Sequence, residues 1–214
     1  MSSIIQVLIC VAICAILGYA DYMYLSKQEV LTAKKCIICV TVMQLFIAAL
    51  MLYKYCSKEY ADILLIVRHM LILECTSIVT ITDYRKQIIP NKIMLIALYA
   101  RGIMLIPEFI ILREEIITVL IRNAAACIIP IILMILGLCF MKNSIGMGDV
   151  KLLFIIALFT DFAFLFNTLF YALIAALIVS IVLLLTKKIK ANESIAFAPF
   201  LLIGVYLSII LGVA

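Results

Sequence analysis

Eight stretches of the chain are apolar enough to be read as membrane-crossing helices, each of which needs about 20 mostly apolar residues. They run from Ile4 to Leu25, Cys36 to Tyr53, Ala61 to Thr82, Lys92 to Ile106, Ile116 to Met141, Val150 to Phe159, Phe162 to Thr186 and Ile195 to Val213. The sixth is the shortest and is parted from the seventh only by Thr160 and Asp161. The polar intervals between these runs reach about a dozen residues at most, whereas a folded domain needs roughly 50. The pattern therefore predicts an all-α, polytopic membrane helical bundle of about eight transmembrane helices. Two N-terminal helices over residues 1–60 precede a larger membrane domain over 61–214.

Composition agrees. The chain is 68% hydrophobic and 14% charged, with a mean hydropathy of +1.34, far more apolar than a soluble domain, in which about half the residues are apolar. No Lys or Arg precedes the first apolar run, so a typical signal-peptide start is missing and the run reads as a retained transmembrane helix. The net charge of +5 bears on topology and gives no pointer to nucleic acid. With Lys92 and Lys151, at the heads of the fourth and sixth runs, counted with the intervals before them, 11 Lys and Arg residues follow the odd-numbered runs and 3 the even-numbered ones. That imbalance places the first set in the cytoplasm and both termini outside.

Asp83, closing the third run, and Asp149, opening the sixth, then fall on the same cytoplasmic side. An aspartate at a helix end is often solvated, or caps the helix it precedes. Gly146 and Gly148 beside Asp149 permit close backbone approach, which suits a site where an extended peptide lies against the chain and which a simple cap does not need. Glu74 is a weaker candidate. On an ideal helix Thr76 lies about 20° and Thr80 about 60° from the Asp83 direction, whereas Glu74 points roughly opposite, about 13 Å away along the axis. His69 is the only histidine, which excludes a histidine triad or a multi-histidine metal site. Cys36 and Cys39 form a single C-x-x-C with no second pair, and a tetrahedral zinc site usually needs four ligands. Pro90 is expected to end the loop after Asp83 and start the fourth helix. Asn91 is read as its cap or as a border of the site, and Arg85 and Lys151 as topological charges that can also meet a bound peptide.

Gly146-Met147-Gly148-Asp149-Val150-Lys151-Leu152 resembles the GxGDxKL signature of the type IV prepilin leader peptidases, a family of aspartic membrane proteases. Asp83-Tyr84-Arg85-Lys86-Gln87-Ile88-Ile89-Pro90-Asn91 is similar to that family's D-x-R-x-x-x-I-P-N segment. Phe197-Ala198-Pro199-Phe200 is similar to its F-G-P-F, with Ala198 in place of glycine. The resemblance covers about two thirds of the chain, from Thr80 onwards.

It implies an aspartic endopeptidase with Asp83 and Asp149 as catalytic residues, and with Gly146, Gly148, Lys151, Arg85, Pro90 and Asn91 binding substrate or shaping the loops. No metal or cofactor is implied. The substrate would be a prepilin-like or pseudopilin protein, cut where its short basic leader meets a long apolar helix at the cytoplasmic face of a bacterial or archaeal cell membrane. Many members carry two C-x-x-C pairs between the first and second helices, associated with N-methylation. Here that interval is only Ser26 to Lys35, which implies a short form without methyltransferase activity. In such a dyad the helix N-terminus favours an ionised Asp149, although the pair titrates as one unit. Two other classes remain open: another GxGD protease, similar to presenilin or signal peptide peptidase, and a transporter or channel using the carboxylates as an ion path.

Overall fold

The computed structural model describes residues 3–27, 33–55, 63–139, 146–186 and 195–211. Lys58, Lys142, Lys187, Lys188 and Lys190, which enter the charge count, lie outside these residues. Among the described residues all regular structure is helical: α1 (Ser3–Lys27), α2 (Ala33–Tyr55), α3 (Ile63–Lys86), α4 (Asn91–Ile111), α5 (Ile116–Ala126), α6 (Ile128–Cys139), α7 (Met147–Phe159), α8 (Phe162–Leu185) and α9 (Ala198–Leu211). Four segments are long and apolar enough to cross a membrane by length and composition: Leu64–Lys86, Asn91–Ile111, Ile116–Cys139 and Phe162–Leu185.

The differences from the sequence pattern have local causes. The fifth apolar run is one segment divided into α5 and α6 at Cys127. Pro130 supplies no amide hydrogen and its ring crowds the carbonyl of Ala126, four residues earlier. The Cys127 amide keeps the helical bond to Asn123 O, four residues back, at 3.2 Å. In α4, Pro107 fails to stop the helix, which continues to Ile111. A buried ion pair one residue beyond the proline braces it, with Arg101 Nη1 and Glu108 Oε1 2.8 Å apart. The third run extends to Lys86, so Asp83 lies within α3 and not in a loop after it.

The chain packs as two compact units, Met1–Ile78 and Val79–Ala214, divided within α3. In the first unit, α1 and α2 approach at Gly18, where an added Cβ would come 2.9 Å from Gln44 Cγ. Gln44 Nε2 in turn donates to Asp21 Oδ2 at 3.2 Å.

The second unit places the ends of its helices with polar bonds. Leu158 O, near the C-terminus of α7, lacks an intrahelical partner by position. It accepts from Arg101 Nε at 2.6 Å and from Asn123 Nδ2 at 3.0 Å, so α4 and α5 both hold that end. Arg101 also lies over the Phe159 ring, 5.7 Å from its centroid.

Helices α8 and α9 cross closely at Gly204, with Thr168 and Ser208 hydroxyls 3.0 Å apart. Small residues at such crossings let helices pack by van der Waals contact where lipid offers no hydrophobic drive. The outward faces are correspondingly apolar: Ile110, Leu177 and Leu185 are exposed, as lipid contact permits.

A Cβ at Gly204 would run into the Thr168 carbonyl oxygen and lie 3.3 Å from Ala172 Cβ. Gly204→Ala should therefore force α8 and α9 apart and cost about 1–3 kcal/mol. Thermal unfolding of the purified protein in detergent measures this, and a variant as stable as the parent contradicts so tight a crossing.

Candidate active site

Asp83 sits in the last turn of α3, 7% exposed. The helix ends at Gln87, which has φ 50° and donates its amide to Asp83 O at 2.8 Å. A left-handed residue is a common way to close a helix, usually with glycine there; at Gln87 it redirects the chain through Ile88 and Ile89 to Pro90. Pro90, extended at φ −71° and ψ 122°, stands at the cap position of α4, and so starts that helix as its sequence predicts.

Asn91 is the first helical residue and not the cap, and no side chain caps α4. Instead Asn91 Oδ1 accepts from Lys151 Nζ at 3.2 Å, which ties the start of α4 to the first turns of α7. Arg85 is exposed two residues beyond Asp83.

Asp149 lies in the first turn of α7, the cap position being Gly146, with no side-chain cap bond. The capping alternative for Asp149 therefore does not hold. Its amide bonds Gly146 O at 3.0 Å, and its carboxylate folds back over Gly146. A Cβ at Gly146 would stand 2.7 Å from Asp149 Oδ2. A Cβ at Gly148 would stand 3.1 Å from Ile89. Both glycines thus clear space, one for the carboxylate and one for the loop that follows Asp83. Gly146, at φ −63°, needs no backbone conformation closed to other residues.

The third contributor is the start of α9. Ala198 N donates to Asp83 Oδ2 at 3.2 Å, and Ala198 O accepts from Thr80 Oγ1 at 3.2 Å. Asp83 therefore faces the N-terminus of α9, and Asp149 belongs to the N-terminal turn of α7. Helix N-termini present unpaired amides and favour negative charge. Burial, and after it the negative charge of Asp83, push the Asp149 carboxyl from 3.8 up to about 6. Two carboxyls so placed can share a proton, one acting as base and the other as acid near neutral pH.

Beside Lys151 an apolar groove of about 500 Å³ opens between α4, α6 and α7, lined by Met94, Leu98, Met134 and Phe154 among others.

Several of these positions carry no role in the sequence reading. Arg101 and Asn123 are polar residues inside apolar runs, a signal that was open to reading. The amide of Ala198 leaves no trace in side-chain identity. Glu74, as its helical angle predicts, belongs to a different cluster, with Asp21 and Gln44 in the first unit.

A family model described as the type IV leader peptidase family matches residues 70–181, just over half the chain, and takes in Asp83 and Asp149. No curated protein and no solved structure matches.

The raised Asp149 carboxyl has a consequence for stability. An unfolded chain loses this proton near 3.8 and the folded one only near 6, so ionisation in the folded state opposes folding increasingly from pH 4 to 6 and fully above that. Asp149→Asn removes the penalty. Its stability relative to the parent should rise by roughly 2–3 kcal/mol between pH 4 and pH 7; thermal melts at the two pH values read this, and an equal difference at both refutes it.

Proposed function

Because the chain belongs to the type IV leader peptidase family, we propose that it is an aspartic endopeptidase that removes the short basic leader of type IV prepilin-like or pseudopilin proteins. What supports this reading is that Asp83, in the last turn of α3, and Asp149, in the first turn of α7, lie in the same unit, with the negative charge of Asp83 adding to the proton affinity of Asp149. Cleavage takes place at the cytoplasmic face of the bacterial or archaeal cell membrane, the side on which the loop lysines and arginines concentrate.

The reaction balances on these two groups. The ionised aspartate takes a proton from water as the water oxygen adds to the scissile carbonyl carbon, and the protonated one gives its proton to the carbonyl oxygen. The resulting diol collapses when the first aspartate protonates the amide nitrogen. The second recovers a proton from a diol hydroxyl as the carbon–nitrogen bond breaks. Both aspartates return to their starting states.

The groove beside Lys151, lined almost entirely by apolar side chains, suits the apolar segment of such a substrate. The interval from Ser26 to Lys35 has no room for paired C-x-x-C motifs, which supports a peptidase without methyltransferase activity.

Co-expression with a prepilin-like substrate tests the proposal through the size shift of the cleaved leader. Asp83→Asn and Asp149→Asn should each lower cleavage by roughly 10²–10⁴-fold while inserting into the membrane normally. A single variant that cleaves at the parent rate would sink the mechanism. Gly146→Ala, which crowds the Asp149 carboxylate, should retain the fold and lose about tenfold or more in kcat, as read in the same assay with purified protein.

A further inference from the structure

The start of α9 offers Asp83 one donor, and the sequence there determines which one. The first amides of a helix have no partner within it. In α9 these belong to Ala198, Pro199, Phe200 and Leu201. Pro199 has no amide hydrogen. The Phe200 and Leu201 amides both bond Phe197 O, at 3.0 and 3.2 Å. That leaves the Ala198 amide, which donates to Asp83 Oδ2.

The same peptide residue is gripped from its other side, because Ala198 O accepts the Thr80 hydroxyl. Thr80 and Asp83 are three residues apart on α3 and so share a face. One turn of α3 therefore holds Ala198 by donating to its carbonyl and accepting from its amide. Ala198 is fully buried, so water does not compete for these bonds.

Asp149 stands in different surroundings. Its amide faces Gly146 O, its carboxylate lies over the Gly146 Cα, and no side chain caps its helix.

We propose that Thr80 and the Ala198 amide form a clamp that fixes Asp83 as the base of the pair and leaves the shared proton on Asp149. Thr80 is a positioning residue: its hydroxyl fixes the peptide that supplies the amide, and the amide holds negative charge on Asp83 Oδ2 ready to accept the proton of the attacking water. This division of roles rests on the peptidase reading above.

The test compares the pH dependence of cleavage for purified parent, Thr80→Val, Thr80→Ser and Ala198→Pro. Proline is tolerated at the first position of a helix and deletes the donor, although at fully buried Ala198 its ring also crowds Asp83; Thr80→Val is therefore the deciding variant. Thr80→Val should lower kcat by about tenfold with little change in KM, and move the acid limb of the kcat/KM profile up by about one pH unit. Its alkaline limb, set by Asp149, should stay in place. Thr80→Ser should restore both rate and profile, and Ala198→Pro should move the acid limb in the same direction.

A Thr80→Val enzyme with the parent's acid limb overturns the clamp, as does movement of the alkaline limb alone. If Asp83→Asn cleaves normally, the peptidase mechanism itself fails. If Asp83→Asn is inactive and Thr80→Val has the parent's rate and profile, only the clamp fails.

Discussion

A carboxylate buried next to a second carboxyl needs a partner, and here the partner is a backbone amide. The bond from Ala198 N to Asp83 Oδ2 supplies positive potential without a mobile cation, which would pair with either aspartate and dissolve the difference between them. Much of the second unit serves to keep that amide in place. The amide is where it is because α9 begins there, and α9 is held against α8 by a crossing that admits no side chain at Gly204. The hydroxyl pair of Thr168 and Ser208 lies in the same interface, fully buried.

The other aspartate depends on α7, a helix of 13 residues fixed at both ends. Arg101 and Asn123 converge on the Leu158 carbonyl, and at the opposite end Gly148 receives Ile89. The brace between Arg101 and Glu108 costs desolvation that the ion pair alone does not clearly recover. Its geometry accounts for its presence, since Arg101 also stacks on Phe159 and caps α7. Asp149 is thus positioned by side chains from α4 and α5 that lie far along the helix from it.

What was legible in the sequence follows from what side-chain identity encodes. Apolar periodicity and length revealed the helices, and proline at position 90 revealed the start of α4. Asp83 and Asp149 stood out as acids flanking apolar runs. The helical angle of Glu74 separated it from Asp83 on geometry alone. The end of α3 was misplaced because a left-handed Gln87 carries no glycine to mark it. Asn91 looked like a cap because its residue type favours caps, but its partner, Lys151, lies 60 positions away. The two glycines are legible as places of close approach, whereas the groups that approach them here, Asp149 Oδ2 and Ile89, are not. A backbone donor such as Ala198 N cannot be read from composition or spacing, because every residue except proline has one.

The roles of the two acids turn on which of two opposing effects is larger at Asp149. Its place in the first turn of α7 favours the ionised form, a contribution of about 0.3–1 kcal/mol at such positions. Burial and the neighbouring charge of Asp83 favour the protonated form, and a rise from 3.8 to about 6 corresponds to roughly 3 kcal/mol net. Burial wins over the helix end. The helix end favours ionised Asp149 while burial raises its proton affinity, an effect of packing that the motif does not encode. At Asp83 the helix end acts through a direct bond from the Ala198 amide to a carboxylate oxygen. Two chemically identical side chains, one at the end of α3 and one in the first turn of α7, stand in unlike surroundings: one faces an amide donor, and the other lies over a glycine.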